Sequence, residues 1–219
     1  MHYAVPLRLR PCNKLGTGFF WEKNGVQYLV TNRHNVTQHT NTWTEPDGSE
    51  ASLQKDSQKN HIDVLDPTKV RLPSMSPNVD IEDIVIHSFS TDLDMIIDNP
   101  RQDVACVPVD SINPEEFGVS IFNSEARVNS GSKVQIQSYH ANGIQPQSFE
   151  AEVSNCVIGL ESNCQCGIVD KRPQAGSSGS PVYTNEGLVG ALFLTDDRFG
   201  KCWVAYVQAD AIVELVETN

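Results

Sequence analysis

Apolar and polar residues alternate in short runs along most of the chain. Each run is closed by Gly, Asn, Asp or Pro, which is the period-2 signature of half-buried strands. Lys133-Val-Gln-Ile-Gln137 and Phe149-Glu-Ala-Glu-Val153 alternate strictly. Further strands are expected at Gly18–Glu22, Gln27–Thr31, Ile84–Ser88, Val104–Val109, Ser180–Tyr183, Leu188–Leu194 and Cys202–Val207. Within Phe20–Val30, Asn24-Gly25 supplies two residues that tolerate positive φ, so this segment reads as a hairpin. Only the C-terminus has helical spacing, with Ala209, Ile212, Val213 and Val216 on one face. The pattern predicts an all-β fold with a short C-terminal helix.

Two segments interrupt the rhythm. Residues 38–80 are polar and rich in Thr, Asp, Gln, Ser and Pro, and are expected as surface excursions. Asp110–Gly118 reads as a linker that divides the chain nearly in half, into residues 1–112 and 113–219. Of 219 residues, 39% are hydrophobic and 20% charged, too apolar for a disordered chain. The net charge of −12, with no Lys/Arg run, argues against nucleic acid or an anionic membrane as the main partner. The longest apolar stretch, Leu188–Leu194, is far short of the roughly 20 residues that span a bilayer. The first residues, MHYAVPLRLRPCNKLG, contain no apolar signal-peptide core, so a cytoplasmic location is expected. Six cysteines spread without an export signal read as mostly reduced. Cys164-x-Cys166, eight residues after Cys156, lacks the paired spacing and following His of a zinc site, so neither metal nor cofactor is expected. The acidic run from Asp80 to Asp98 lacks a calcium loop and reads as a solvated face.

Chemistry concentrates in three segments. Gln174-Ala-Gly-Ser-Ser-Gly-Ser-Pro-Val182 crowds Gly and Ser into a tight turn that exposes backbone N–H groups. A nucleophilic hydroxyl needs that setting, because the oxyanion formed in acyl transfer must meet N–H donors. Ser178 is therefore the candidate nucleophile, with Ser177 and Ser180 as its alternatives. Gly176, Ser177 and Ser178 form the candidate oxyanion hole. His34 lies just beyond the apolar run Tyr28-Leu-Val-Thr, where the chain turns outward. Asp103 opens the apolar strand at Val104 and has the chemistry to orient an imidazole; Asp94 and Asp98 are alternatives. Asn35-Val-Thr37 matches a glycosylation sequon, an accidental match beside a cleft histidine.

Together these segments resemble the trypsin-like (chymotrypsin-fold) serine peptidases over nearly the whole chain. Gly16-Thr-Gly18-Phe-Phe followed by His34 is similar to the family's first barrel, Asp103-Val-Ala to its acid segment, and Gly176-Ser-Ser-Gly-Ser-Pro181 to its nucleophile turn. The style is similar to bacterial Deg-type and other intracellular members. The resemblance implies two six-stranded antiparallel β-barrels with the active site in the cleft between them. It implies that His34 is the general base, Asp103 its orienting acid and Ser178 the nucleophile of a serine endopeptidase working through an acyl-enzyme. The alternative is a catalytically silent pseudo-peptidase that binds a peptide or partner. It also implies that Leu192, Phe193 and Leu194 wall the specificity pocket, with Arg172 near its base, and that the substrate is a polypeptide.

The sequence departs from the family at four points. Ser177 stands where digestive relatives carry an Asp that pairs with a freed N-terminal amine, so activation by N-terminal cutting is not expected. Either the loop from Cys164 to Ser177 is ordered in the uncut chain, or a regulatory partner protein or domain orders it. Arg172 would repel a buried Lys or Arg, so an uncharged residue is expected on the acyl side of the scissile bond. Ser180 replaces a usual Gly, and 69 residues separate His34 from Asp103.

Overall fold

The computed structural model describes residues 2–10, 14–36, 43–44, 50–51, 61–69, 84–90, 97–99, 102–109, 112–140, 145–154, 163–198 and 200–218. The first half contains β1 (Ala4–Arg10), β2 (Lys14–Lys23), β3 (Val26–Asn32), β4 (Trp43–Thr44), β5 (Glu50–Ala51), β6 (His61–Leu65), β7 (Val85–Ser90), β8 (Ile97–Asn99) and β9 (Val104–Pro108). Seven of these form one antiparallel sheet in the order β7-β6-β1-β2-β3-β9-β8, while β4 and β5 pair only with each other. The second half contains β10 (Lys133–His140), β11 (Gln145–Ser154), β12 (Cys164–Val169), β13 (Pro181–Thr184), β14 (Gly187–Arg198) and β15 (Lys201–Gln208), followed by α1 (Ala209–Glu217). These six strands close into a barrel in the order β10-β11-β12-β15-β14-β13. The protein is thus all-β with one short C-terminal helix, as its residue pattern predicts.

The first sheet has seven strands rather than six, and its edge strands β7 and β8 are not joined by a ladder among the described residues. The extra strand arises inside the supposed polar excursion. His61–Leu65 pairs with β1, opposing Leu7 to Val64, because Ile62, Val64 and Leu65 are fully buried. Its Asp63 is buried too, accepting from Arg8 Nε at 2.7 Å and from the Ser88 hydroxyl. The hairpin between β2 and β3 turns at Asn24 and Gly25, both at positive φ, as the dipeptide requires.

Strand alternation sends consecutive apolar residues to two different cores. Phe20, Leu29, Ala105 and Val107 join Val5, Leu7, Leu9, Ile62 and Val64 inside the first sheet. Their neighbours Phe19, Trp21, Val30, Val104 and Cys106 face the other way and pack against Phe122, Leu188, Ala191, Val207, Ile212 and Leu215. One apolar layer therefore fuses the first sheet to the barrel and helix. The barrel interior is a third cluster built on Val134, Ile136, Phe149, Val153, Leu192 and Tyr206. On α1 the buried residues are Ala209, Ala211, Ile212 and Leu215, while Val213 and Val216 are only partly covered. The buried stripe is rotated from the expected one because the helix is wedged between the barrel and β8–β9.

The connection between the halves contains a 3-10 turn at Pro114–Phe117, ended by Gly118 at φ 69°. Residues 119–126 then make isolated bridges to His2, Trp21 and Leu188. Cys164–Gly167, read as loop from sequence, lies in β12 between β11 and β15. Cys166 is disulfide-bonded, whereas Cys106, Cys164 and Cys202 are thiols. Three of the four described cysteines are thus reduced, in keeping with the mostly reduced reading, and Cys166 is the exception.

Candidate active site

His34 sits in a 3-10 turn, Arg33–Asn35, immediately after β3. Asp103 precedes β9, the strand hydrogen-bonded to β3, so the two residues meet although 69 positions separate them. The Asp103 carbonyl accepts from Asn32 Nδ2 at 2.7 Å and from Arg33 N–H at 3.0 Å. Asp103 has φ 52°, a left-handed conformation that Asp tolerates better than most residues. This conformation directs the carboxylate back over the turn. Its Oδ1 accepts from the His34 backbone N–H at 3.0 Å, and its Oδ2 lies 2.6 Å from His34 Nδ1. In the tautomer that donates Nδ1–H across this contact, Nε2 is the acceptor nitrogen. Of the alternatives for this acid, Asp94 lies outside the described residues. Asp98 has its backbone in β8, opposite Ala105.

The Gly/Ser segment is a pair of interlocked turns. Ser177 N–H donates to Gln174 O, Ser180 N–H to Ser177 O, and Gly179 N–H to Leu192 O. The Ser177 amide is thus occupied within the turn, and of the three residues proposed for an oxyanion hole only Gly176 and Ser178 keep N–H groups without a protein acceptor among the described residues. Ser177 is buried with its hydroxyl donating to Ser138 Oγ at 3.2 Å, and Ser180 is buried with its hydroxyl donating to Ser177 O at 2.6 Å. Ser178 is half-buried, and its hydroxyl makes no hydrogen bond among the described residues. It is the one member of the trio whose oxygen is available.

A cavity of about 740 Å³ opens beside Ser177 and Ser178. One wall is Lys171–Ala175 and the other is Leu192–Thr195 from β14. Leu192 is buried, Phe193 half-buried and Leu194 exposed, so the apolar surface grades outward along the strand. Arg172 does line this cavity, but at its open side rather than as a buried base. Its Nη1 lies 2.5 Å from Asp197 Oδ2, and both side chains are more than half exposed.

The sequence pattern of a trypsin-like peptidase domain matches residues 16–192, four-fifths of the chain, including all three candidate residues. The chain belongs to the trypsin-like peptidase family. No curated protein sequence matches it. In fold, this trypsin-like domain is similar to the active form of the Rv3671c protease from M. tuberculosis, at 15% identity and TM-score 0.60, covering 98% of this chain and 79% of that one. It is similar to Deg5, at 15% identity and TM-score 0.53, covering 97% and 86%. A human pathogenic astrovirus serine protease aligns at 14% identity and TM-score 0.54, covering 96% and 91%.

Two residues of the trypsin-like site escaped sequence reasoning. Thr17 in β2 is fully buried at the junction of the halves. Its hydroxyl donates to Gly176 O at 2.7 Å and accepts from Tyr139 N–H at 3.0 Å, while its N–H donates to Ser178 O at 3.1 Å. Asn35, noticed only as a sequon, donates from Nδ2 to Ser178 O at 2.9 Å and to Thr31 Oγ1 at 3.0 Å. The residue next to the histidine thus grips the residue that carries the hydroxyl. Gly179 completes the joint. At φ 88° it packs so tightly on Thr17 O and Thr31 Oγ1 that a Cβ has no room.

Proposed function

We propose that the chain is a serine endopeptidase acting on polypeptides through Ser178, His34 and Asp103, without a cofactor. The observation that carries this reading is the two-point contact of Asp103 with His34, which fixes the imidazole with Nε2 as acceptor, beside a Ser178 clamped by Asn35. His34 Nε2 takes the Ser178 hydroxyl proton as Oγ attacks the scissile carbonyl. The Gly176 and Ser178 N–H groups receive the developing oxyanion. His34 then protonates the leaving amine, and a water activated by the same nitrogen hydrolyses the acyl-enzyme. Asp103 stays ionised throughout and stabilises the imidazolium. The substrate residue on the acyl side enters the cavity against Leu192 and Phe193.

The alternative is a pseudo-peptidase that holds a peptide in the same cleft without cutting it. One observation favours it: the Ser178 hydroxyl is not bonded to His34. Such bonds commonly tighten only when substrate is bound, so the geometry retains the catalytic reading. Labelling with a fluorophosphonate probe separates the two. The native chain is expected to label, and Ser178→Ala and His34→Ala are expected to abolish labelling and peptide cleavage while the fold is retained. A native chain that binds peptide but never labels would establish the pseudo-peptidase instead.

A further inference from the structure

The cavity beside Ser178 has an unusual charge arrangement. Two cations, Lys171 and Arg172, line it, and among the described residues no carboxylate does. Asp197 stands just outside, further along β14 past Leu194, where its Oδ2 meets Arg172 Nη1 at 2.5 Å. The ion pair therefore ties the loop wall of the cavity to its strand wall. On the adjacent strand, Cys202 is opposite Asp197 in register, and its thiol is a further hydrogen-bond partner of that carboxylate.

We propose that Asp197 determines the charge selectivity of this cavity: paired with Arg172 it makes the cavity accept an uncharged substrate side chain, and its removal makes the cavity accept an acidic one. The proposal rests on the peptidase reading for where the substrate side chain sits.

An unpaired guanidinium at the cavity side would be a fork-shaped receptor for a carboxylate. Asp197 already fills that fork, so an incoming Asp or Glu side chain would meet a carboxylate of like charge at the place where it seeks a cation. A Lys or Arg side chain would meet Lys171 and Arg172 with no lining carboxylate to receive it. A neutral side chain meets neither penalty and gains contact with Leu192 and Phe193. Because the pair is more than half exposed, burial does not lock it, and its presence is decided by the charge of Asp197 itself. Lys171 is an exposed, hydrated point charge at the rim and lacks the planar fork that would orient a carboxylate.

The test uses full-length Ser178→Ala protein, so that peptides bind without turnover, and a set of labelled peptides differing only in one acyl-side residue: Leu, Gln, Glu or Lys. Fluorescence anisotropy gives the dissociation constants. Ser178→Ala protein is expected to bind the Gln and Leu peptides more tightly than the Glu or Lys peptides. Adding Asp197→Asn, an isosteric change at an exposed position, is expected to raise the affinity for Glu relative to Gln by about three- to fivefold, the scale of one exposed ion pair. Adding Arg172→Gln to that double variant should cancel the gain. A Glu-to-Gln ratio unchanged within about twofold by Asp197→Asn would overturn the proposal, as would a preference for Glu while Asp197 is intact. Absence of binding by every peptide would overturn it as well. The peptidase reading stands or falls separately, on fluorophosphonate labelling of native Ser178.

Discussion

Thr17→Val tests whether the nucleophile turn is held in place by the first sheet. Val has the shape of Thr, so the change opens no cavity and removes only a hydroxyl. That hydroxyl donates to Gly176 O and accepts from Tyr139 N–H; Thr17 is fully buried, Tyr139 is buried and Gly176 half-buried. Two hydrogen bonds are lost, each contributing about 1 kcal/mol, and each stranded partner adds a desolvation penalty of the order of 1 kcal/mol or more. A loss of about 2–4 kcal/mol follows from these magnitudes. For a chain of this size each kcal/mol lowers Tm by about 2–4 °C, so thermal unfolding should shift down by about 5–15 °C. Urea denaturation gives the free energy directly, and fluorophosphonate labelling measured well below Tm reports the site. Labelling should slow by at least about tenfold, because the Gly176 carbonyl belongs to the turn that presents the oxyanion donors. Thr17→Ser keeps the hydroxyl and should recover most of the labelling rate. A Thr17→Val protein within about 0.5 kcal/mol of native that labels at the native rate would refute the reasoning.

Three further outcomes are expected. Asp103→Asn should lower turnover by roughly 10⁴ with little change in KM, since an amide favours the wrong imidazole tautomer; a larger loss from Asp98→Asn would identify a different acid. Asp63→Ala should cost about 3–5 kcal/mol in urea unfolding by removing the carboxylate paired with buried Arg8, whereas the double change Arg8→Met with Asp63→Leu should lie much closer to native. Burial and then the neighbouring Asp197 push the Cys202 thiol up to about 11, so iodoacetamide should modify it slowly at neutral pH and faster as pH rises. Removing the Asp197 charge lowers that value and enlarges the thiolate fraction, so Asp197→Asn should speed alkylation; an unchanged rate would mean the carboxylate does not act on the thiol.

What the sequence disclosed, and what it concealed, follows from the range of the forces involved. Strands with clean alternation, such as β10 and β11, declare themselves because one face is wet and the other packed. The Asn24-Gly25 hairpin is equally local. Strand β1 alternates as well, but Pro6 and two arginines disguise it. Pro6 is tolerated because pairing with β6 begins only at Leu7, and Arg8 is tolerated because Asp63 arrives from 55 residues away. Strand β12 was hidden by its cysteines, and its Gly167 is needed where the strand closes on Ala151 and Val204. At the site, the imidazole, its acid and the Ser-rich turn were legible as residue types in sequence. Thr17 and Asn35 were not, because the bonds that tie them to the nucleophile turn reach partners 159 and 143 positions away.

The placement of β1 has a consequence for processing. It lies in the interior of the first sheet, hydrogen-bonded to β2 on one side and β6 on the other. Just before it, the backbone N–H groups of Tyr3 and Ala4 both donate to Gln137 Oε1 of the barrel. A protease that clipped the chain within residues 4–10 would release no free end able to swing into the barrel. It would instead pull a central stave from the sheet that presents His34, leaving two raw edges where β2 and β6 had been satisfied. Cutting within residues 4–10 is therefore expected to disrupt the sheet that carries His34.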